Sequence, residues 1–429
     1  MDLKTVLVVT YYWPPAGGPG VQRVLKFCRY LPQFGWRPLV LTVADGEYPA
    51  IDESLAENIA PDLAVYKTAS LEPFSLYRRF IGKKKDEKIT TFVLTEDSQG
   101  DLKRRLAAFI RGNLFIPDGR IGWKPFAVNQ GLQIIRRHKP DVIFSTAPPM
   151  STHLIAKTLA HKCSIPWVAD FRDPWTDVFY YHNLRRTRCA QRLDHRLEVS
   201  VLRSADAVVT VSSTIQKLFQ EKAENRYFVI ANGFDSDDFS GVTPLPADGL
   251  RHIVHAGHLA VNQNPSAFWI ALSRMTQDKA FSNVCIDFYG SIHSKVEQTL
   301  KDCGLMPKCR FFGYRPHHEL VSAMKRADLL FFIVPDTSYA KGIPTSKLFD
   351  YLGAGKPILG VGPTDGDAAE ILRQTNAGMM VEAGNEAGLL EAILKCFKGS
   401  YGSPSSSRIS SFSRQSLTGN LAELFNNIS

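Results

Sequence analysis

Nowhere in the 429 residues do apolar side chains run on for the roughly 18 positions that a membrane-spanning helix needs. The densest run, residues 329–334, has the length of a buried strand. The opening Met1-Asp2-Leu3-Lys4 passes straight into an apolar strand pattern, without the small-residue cleavage site of a secretory leader. The seven cysteines form no Cys-x-x-Cys pair, and the closest two, Cys303 and Cys309, have no histidine cluster beside them. That argues against a zinc site or a disulfide framework and for reduced, mostly buried thiols. No repeat of solenoid length is present. These absences lead to a cytoplasmic expectation.

What remains is ample for packed cores: 44% of residues are hydrophobic and 22% charged, in a chain too long for one ordinary domain. The net charge of +9 is concentrated at Lys83-Lys84-Lys85, Lys103-Arg104-Arg105, Arg136-Arg137-His138-Lys139 and residues 185–203. Such clusters favour phosphate-bearing or anionic-membrane partners. In the last cluster Arg188, Arg192 and Arg196 form a basic stripe at helical spacing beside an apolar row of Leu193, Leu197 and Val201. Pairing with Asp194 and Glu198 makes this an ion-paired solvent face; docking on the anionic inner face of a membrane is the other reading. Nucleic acid is not an expected partner, because the clusters are dispersed and no zinc, helix-turn-helix or aromatic RNA-binding signature accompanies them.

Short, fully apolar runs at residues 5–10 and 38–43 flank a glycine loop and a helical pattern over 21–31. A strand apolar on both faces belongs to a parallel, helix-covered sheet. Further strands are predicted at 141–145, 166–170, 207–211 and 227–230. Residues 240–249 are rich in turn formers and lack periodicity, and the strand pattern restarts at 251–257, 284–289, 309–312, 329–334 and 357–361. The expected organisation is one α/β domain over 1–240, a second over 241–400, and a segment over 401–429 whose terminal helix crosses back to the first domain. The charged stretch 80–100 reads as an insertion or mobile loop.

Ligands of open α/β sheets sit beyond the carboxyl ends of the strands, so two such domains place their ligand loops toward a shared cleft. The richest candidate is the segment 344–358. A tight loop opens into a short helix at Thr345, Ser346 and Lys347, with Asp350 one turn in and Gly355 as the stop. Free N–H groups at the helix start, two hydroxyls and an ammonium suit a diphosphate, and Asp350 can accept from ribose hydroxyls. The plain structural alternative is a Thr or Ser N-cap and an ordinary glycine stop. The loop containing Gly17 and Gly18 lets backbone approach a ligand closely. In Asp170-Phe171-Arg172-Asp173-Pro174-Trp175-Thr176-Asp177 three carboxylates and an arginine must line a cleft or pair with one another, for example Arg172 with Asp173 or Asp177. His258, after the strand ending at Gly257, reads as a phosphate donor or a polar loop residue.

Taken in order, Gly17-Gly18, Asp170 to Trp175, Val209 to Ser212, Ala231 to Asp235, Ala256 to Leu259 and Pro344 to Pro357 resemble the retaining GT-B glycosyltransferases related to glycogen and sucrose synthases, most of all bacterial members that build surface polysaccharides. The likeness runs over nearly the whole chain and includes residues 117–123. It implies two Rossmann-like doubly wound domains, the acceptor held by 1–240 and the nucleotide-sugar donor by 241–400, and transfer of a sugar from a nucleotide diphosphate to an acceptor hydroxyl on a glycan or lipid-linked acceptor, with neither cofactor nor metal. By position, Lys347 would neutralise the diphosphate, Thr345 and Ser346 would bind its oxygens, and Asp350 the ribose. Gly17 and Gly18 would face the phosphates and sugar, Arg172 would lie near the anomeric centre with Asp173 beside it in sequence as a second catalytic candidate, and His258 and Gln263 occupy positions where relatives carry donor-binding cations. One departure stands out: the first of the family's two motif glutamates falls at Gly342. A nucleotide-sugar 2-epimerase and a catalytically silent scaffold of the same fold are the competing readings.

Overall fold

The computed structural model describes residues 3–71, 109–110, 112–178, 181–337, 339–400, 402 and 404–429; the stretch 80–100 and the basic clusters at 83–85 and 103–105 lie outside them. The chain divides into two units, Met1–Ala231 with Thr418–Ser429, and Asn232–Leu417. The turn-rich stretch 240–249 falls inside the second.

Unit 1 is built on seven parallel strands: β1 (Lys4–Val9), β2 (Trp36–Val43), β3 (Ala64–Thr68), β4 (Val142–Ala147), β5 (Trp167–Phe171), β6 (Ala207–Thr210) and β7 (Tyr227–Val229), in the spatial order β3-β2-β1-β4-β5-β6-β7. Val6, Leu7, Val8 and Val9 are each at most 1% exposed, as a strand covered on both faces requires. The sheet reverses direction of growth between β1 and β4, which pair Val6 with Val142 through Val9 with Ser145. The loops above this junction are where a ligand of such a sheet binds. The final helix, Arg414–Asn426, ends in this unit, and its Phe425 is fully buried edge-on against Trp36 and Phe144.

Unit 2 repeats the plan with six parallel strands: β8 (Arg251–Ala256), β9 (Val284–Tyr289), β10 (Cys309–Gly313), β11 (Leu329–Ile333), β12 (Ile358–Val361) and β13 (Gly378–Val381), ordered β10-β9-β8-β11-β12-β13. Phe268, Trp269, Phe288 and Phe331 fill its core with mutual ring contacts of 5.0 to 6.4 Å. The reversal lies between β8 and β11.

The helix Arg188–Ser204 corrects one sequence expectation. Asp194 and Glu198 do not pair with the arginine stripe; both are fully buried. Asp194 accepts from Trp175 Nε1 (2.9 Å) and Tyr181 Oη (2.8 Å) and pairs with Arg186, while Glu198 pairs with Lys222 at 2.8 Å. Leu193, expected on the apolar row, is instead 47% exposed. A carboxylate with several inward donors stabilises the interior better than it stabilises a solvated stripe, and this decides which helix face turns in. Among the described residues, no helix is long and apolar enough to cross a membrane.

Candidate active site

In unit 1 the loops above the β1/β4 junction are held by two arginines. The glycine loop caps the helix Pro19–Tyr30 through the Gly18 carbonyl, which accepts from Val21 and Gln22 N–H at 3.1 and 3.2 Å. Gly17 gives its N–H to the Ala50 carbonyl at 3.0 Å, so that donor is already used. Arg23, inside the helix, reaches Asp170 through two bonds of 2.8 and 3.2 Å and the carbonyls of Ala231 and Ile230 at 2.6 and 2.9 Å. Asp170 also accepts from Thr146 Oγ1 at 2.7 Å and is fully buried. This satisfied pair fixes the end of β5 against the helix.

Arg172 lies beside it. Its guanidinium donates to the carbonyls of Ala147 (3.0 Å) and Pro148 (2.7 Å), at the end of β4. The ion pairs considered for this loop are replaced: Asp177 pairs with Lys222, and Arg172 spends its N–H groups on backbone. Gly20 makes room for it, since a Cβ there would fall 1.6 Å from Arg172 Nη1. Burial pushes the Asp173 carboxyl up, with the Arg172 charge opposing, and burial pulls Arg172 down despite Asp170 and Asp173.

Unit 2 brings the other predicted residues together above the β8/β11 junction. The helix Ser346–Ala354 begins there, with Thr345 as its N-cap and Gly355 as a left-handed stop (φ 67°). Thr345 makes no side-chain cap bond, and among the described residues its enclosed hydroxyl has no hydrogen-bond partner. Ser346 is the first helical residue. Lys347 folds back across Gly257, donating to the His258 carbonyl at 3.0 Å with its Nζ 3.4 Å from His255 Nε2. Gly257 is required: its φ is +104°, and a Cβ would meet Lys347 Cε at 2.7 Å. Among the described residues no carboxylate lies within ion-pair distance of Lys347, and burial pushes its pKa down to about 8. Burial likewise raises Asp350 to about 6, with Arg414 and His317 opposing and Asp238 assisting. The His258 ring is exposed and bonds Ser291 Oγ at 2.7 Å. Gln263 does not reach out: its amide accepts from Ala260 N–H (3.3 Å) and donates to the Ile333 carbonyl (3.2 Å), tying the loop to the end of β11. At Gly342 a Cβ would lie 2.7 to 2.8 Å from the Tyr339 ring and hydroxyl, so the phenol occupies the space that a side chain at that position would take.

Sequence reasoning missed Arg23, Gly20 and His255. Neither Arg23 nor His255 stands out from sequence, because its element carries other polar residues: Gln22, Lys26 and Arg29 in the one, Arg251 and His252 in the other. The donor set of Lys347, the helix N–H groups and Thr345 is anion chemistry, and it offers no carboxylate or thiolate to a metal. The buried group His252, Cys285 and Asp287 lies at the opposite end of β8 and β9. There His252 bonds Asp287 (2.6 Å) and Asp248 (2.9 Å) and Arg326 completes the network, which is a structural charge cluster.

Comparisons with known proteins bear on the family and the fold. The sequence profile described as Glycosyltransferase Family 4 matches residues 20–238, about half of the chain, and that described as Glycosyl transferases group 1 matches 251–398. No curated protein matches the chain. Among solved structures, a sucrose-phosphate synthase from Thermosynechococcus elongatus is similar at 12% identity and TM-score 0.62, over 99% of this chain and 98% of that one. A glycosyltransferase from Rickettsia africae is similar at 13% identity and TM-score 0.63, over 100% and 99%. The Anabaena protein HepE in complex with UDP-glucose is similar at 16% identity and TM-score 0.60, over 99% of each chain. At these identities the structures establish the fold, and the profiles establish the family. This chain belongs to Glycosyltransferase Family 4 and is a glycosyltransferase enzyme of the GT-B fold, with a Rossmann-like sheet in each of its two units.

Proposed function

We propose that the enzyme moves a hexosyl group from a nucleotide-diphosphate sugar to an acceptor hydroxyl with retention at the anomeric carbon, in the assembly of a cell-surface polysaccharide or glycan. The observation that carries the donor class is Lys347: a largely desolvated ammonium at a helix start, within reach of neutral acceptors and, among the described residues, of no counter-ion. Burying such a cation is costly unless an anion completes it. As the anomeric C–O bond breaks, negative charge grows on the departing diphosphate. A fixed ammonium and the N–H groups at the start of Ser346–Ala354 stabilise that charge more in the transition state than in the ground state. The positive charge supplied this way takes the place a divalent metal would fill.

Thr345 and Ser346 are the proposed hydroxyl donors to phosphate, and Asp350 the acceptor for ribose hydroxyls. Its raised pKa still leaves it largely ionised at neutral pH. To Gly17, Gly18, Arg172 and Asp173 we assign the reacting sugar and acceptor, and to His258 a phosphate contact; Gln263 supports the donor loop through backbone. The UDP-glucose bound by HepE supports a uridine donor. Peripheral attachment to an anionic membrane is part of the proposal. Arg188, Arg192 and Arg196 are exposed, Leu193 stands out between them, and among the described residues no carboxylate reaches the three.

The test is a thermal-shift screen of nucleoside diphosphates and their sugar conjugates, followed by product analysis with candidate acceptors. A ligand at a hundred times its Kd should stabilise the fold by about 2.7 kcal/mol. The anomeric configuration of the product, read by NMR, decides retention. Conversion of the donor to its epimer without acceptor, or binding without turnover in every acceptor mixture, would overturn the assignment.

A further inference from the structure

His255 is a fully buried imidazole near the carboxyl end of the parallel strand β8, one residue before Ala256. It packs against Phe331 and Phe288, at centroid distances of 4.9 and 6.5 Å. Its Nδ1 is 3.1 Å from the Phe331 carbonyl. A carbonyl can only accept, so Nδ1 carries the proton, and in a neutral ring Nε2 is then a lone pair. Burial, with Lys347 and His258 adding to it, holds the His255 pKa well below the ordinary histidine value, which keeps the ring neutral. That lone pair lies 3.4 Å from Lys347 Nζ, and the His258 carbonyl lies 3.0 Å from the same nitrogen. An ammonium has three N–H bonds and no acceptor capacity. Two neutral acceptors therefore take two of them and fix the direction of the third.

We infer that His255 is a positioning residue for glycosyl transfer: its Nε2, with the His258 carbonyl, orients the Lys347 ammonium so that the remaining N–H meets the donor diphosphate. The inference rests on the donor-binding role proposed for Lys347. Tyr351 supports the arrangement, accepting from Ala256 N–H (2.9 Å) and donating to the same Phe331 carbonyl (3.1 Å), which holds the end of β8 beside β11. The titratable groups facing Lys347 are His255 on β8 and His258 in the following loop; among the described residues, no carboxylate comes within ion-pair range.

Two amides separate the two ends of the imidazole. In His255→Asn the side-chain amide can still donate to Phe331 but leaves no atom at the Nε2 position, whereas His255→Gln places an amide there. On the full-length protein, inorganic pyrophosphate affinity is measured by calorimetry and the Lys347 titration by NMR of labelled lysine. Removing an acceptor that favours the charged amine should weaken pyrophosphate binding about tenfold in His255→Asn and move the Lys347 midpoint to lower pH, with His255→Gln within about threefold of the parent. A role in packing alone would lower the melting temperature of both variants and leave the Lys347 midpoint where it was, which overturns the inference. Lys347→Ala is the control for the underlying reading. If it binds pyrophosphate like the parent, or the parent does not bind, the donor-site assignment fails; if Lys347→Ala is weak and His255→Asn is unchanged, only the role of His255 fails.

Discussion

Above the β1/β4 junction, Arg23 is locked to a buried carboxylate and Arg172 to two carbonyls, whereas above β8/β11 the half-buried cation Lys347 has, among the described residues, no carboxylate within ion-pair distance. Both sheets share the same order around the reversal, so the difference is in what each site is built to hold. A bidentate pair such as Arg23 and Asp170 is complete without a ligand, and its effect is to fix loops. An ammonium facing a ring nitrogen and a carbonyl is incomplete, and it keeps affinity in reserve for an anion.

The strongest challenge to this contrast is Asp170→Ala. It strands Arg23 in the interior and should cost about 3–5 kcal/mol of stability in a denaturant titration. A loss below 1 kcal/mol would show that the pair is not a fixture. Lys347→Ala should do the reverse, lowering kcat by about 10²-fold while circular dichroism stays unchanged and the free protein melts no lower. Near-normal turnover would remove Lys347 from the diphosphate. Glycines sharpen the comparison further. Gly257→Ala combines a positive φ with a collision at Lys347 and should reduce kcat/KM about tenfold, whereas Gly18→Ala meets no atom within 4 Å but forces a side chain to φ 106° and ψ 167°, and should cost about 1–3 kcal/mol of stability.

The smallest effect is on pH. Transfer needs Asp350 ionised and Lys347 protonated, so kcat/KM should fall below about 6 and above about 8. Asp350→Asn should abolish the acid limb alone. Stability runs the other way on the alkaline side. The folded Lys347 gives up its proton before the unfolded one does, so its contribution to stability rises with pH from about 8 towards the ordinary lysine value.

Much of this was legible beforehand because parallel strands buried on both faces announce themselves as apolar runs. The strands at 284–289 and 329–333, and the loop, helix and glycine stop around Lys347, stand where their patterns put them. The edge strands β3 and β13 were invisible. Ala-Val-Tyr-Lys-Thr and Gly-Met-Met-Val are short and half-covered, so neither has the continuous apolar run by which a central parallel strand is read. In the site, residue types were readable but partners were not. Arg172 sits next to three acids in sequence and spends its donors on carbonyls from another strand; Gln263 stands in for a cation and serves as a loop tie. Local charge composition cannot say which neighbour a long side chain will reach, because that depends on contacts far away along the chain. The inward turn of Asp194 and Glu198 has the same origin, since Trp175, Tyr181 and Lys222 come from other elements.

The last helix has a consequence for biosynthesis. Phe425 is fully buried between Trp36 and Phe144. A ribosome therefore finishes the whole of the second unit before it delivers the plug of the first. The nascent amino-terminal half must wait with an open seam in its interior, and a fragment ending at Ala231 would keep that seam for good.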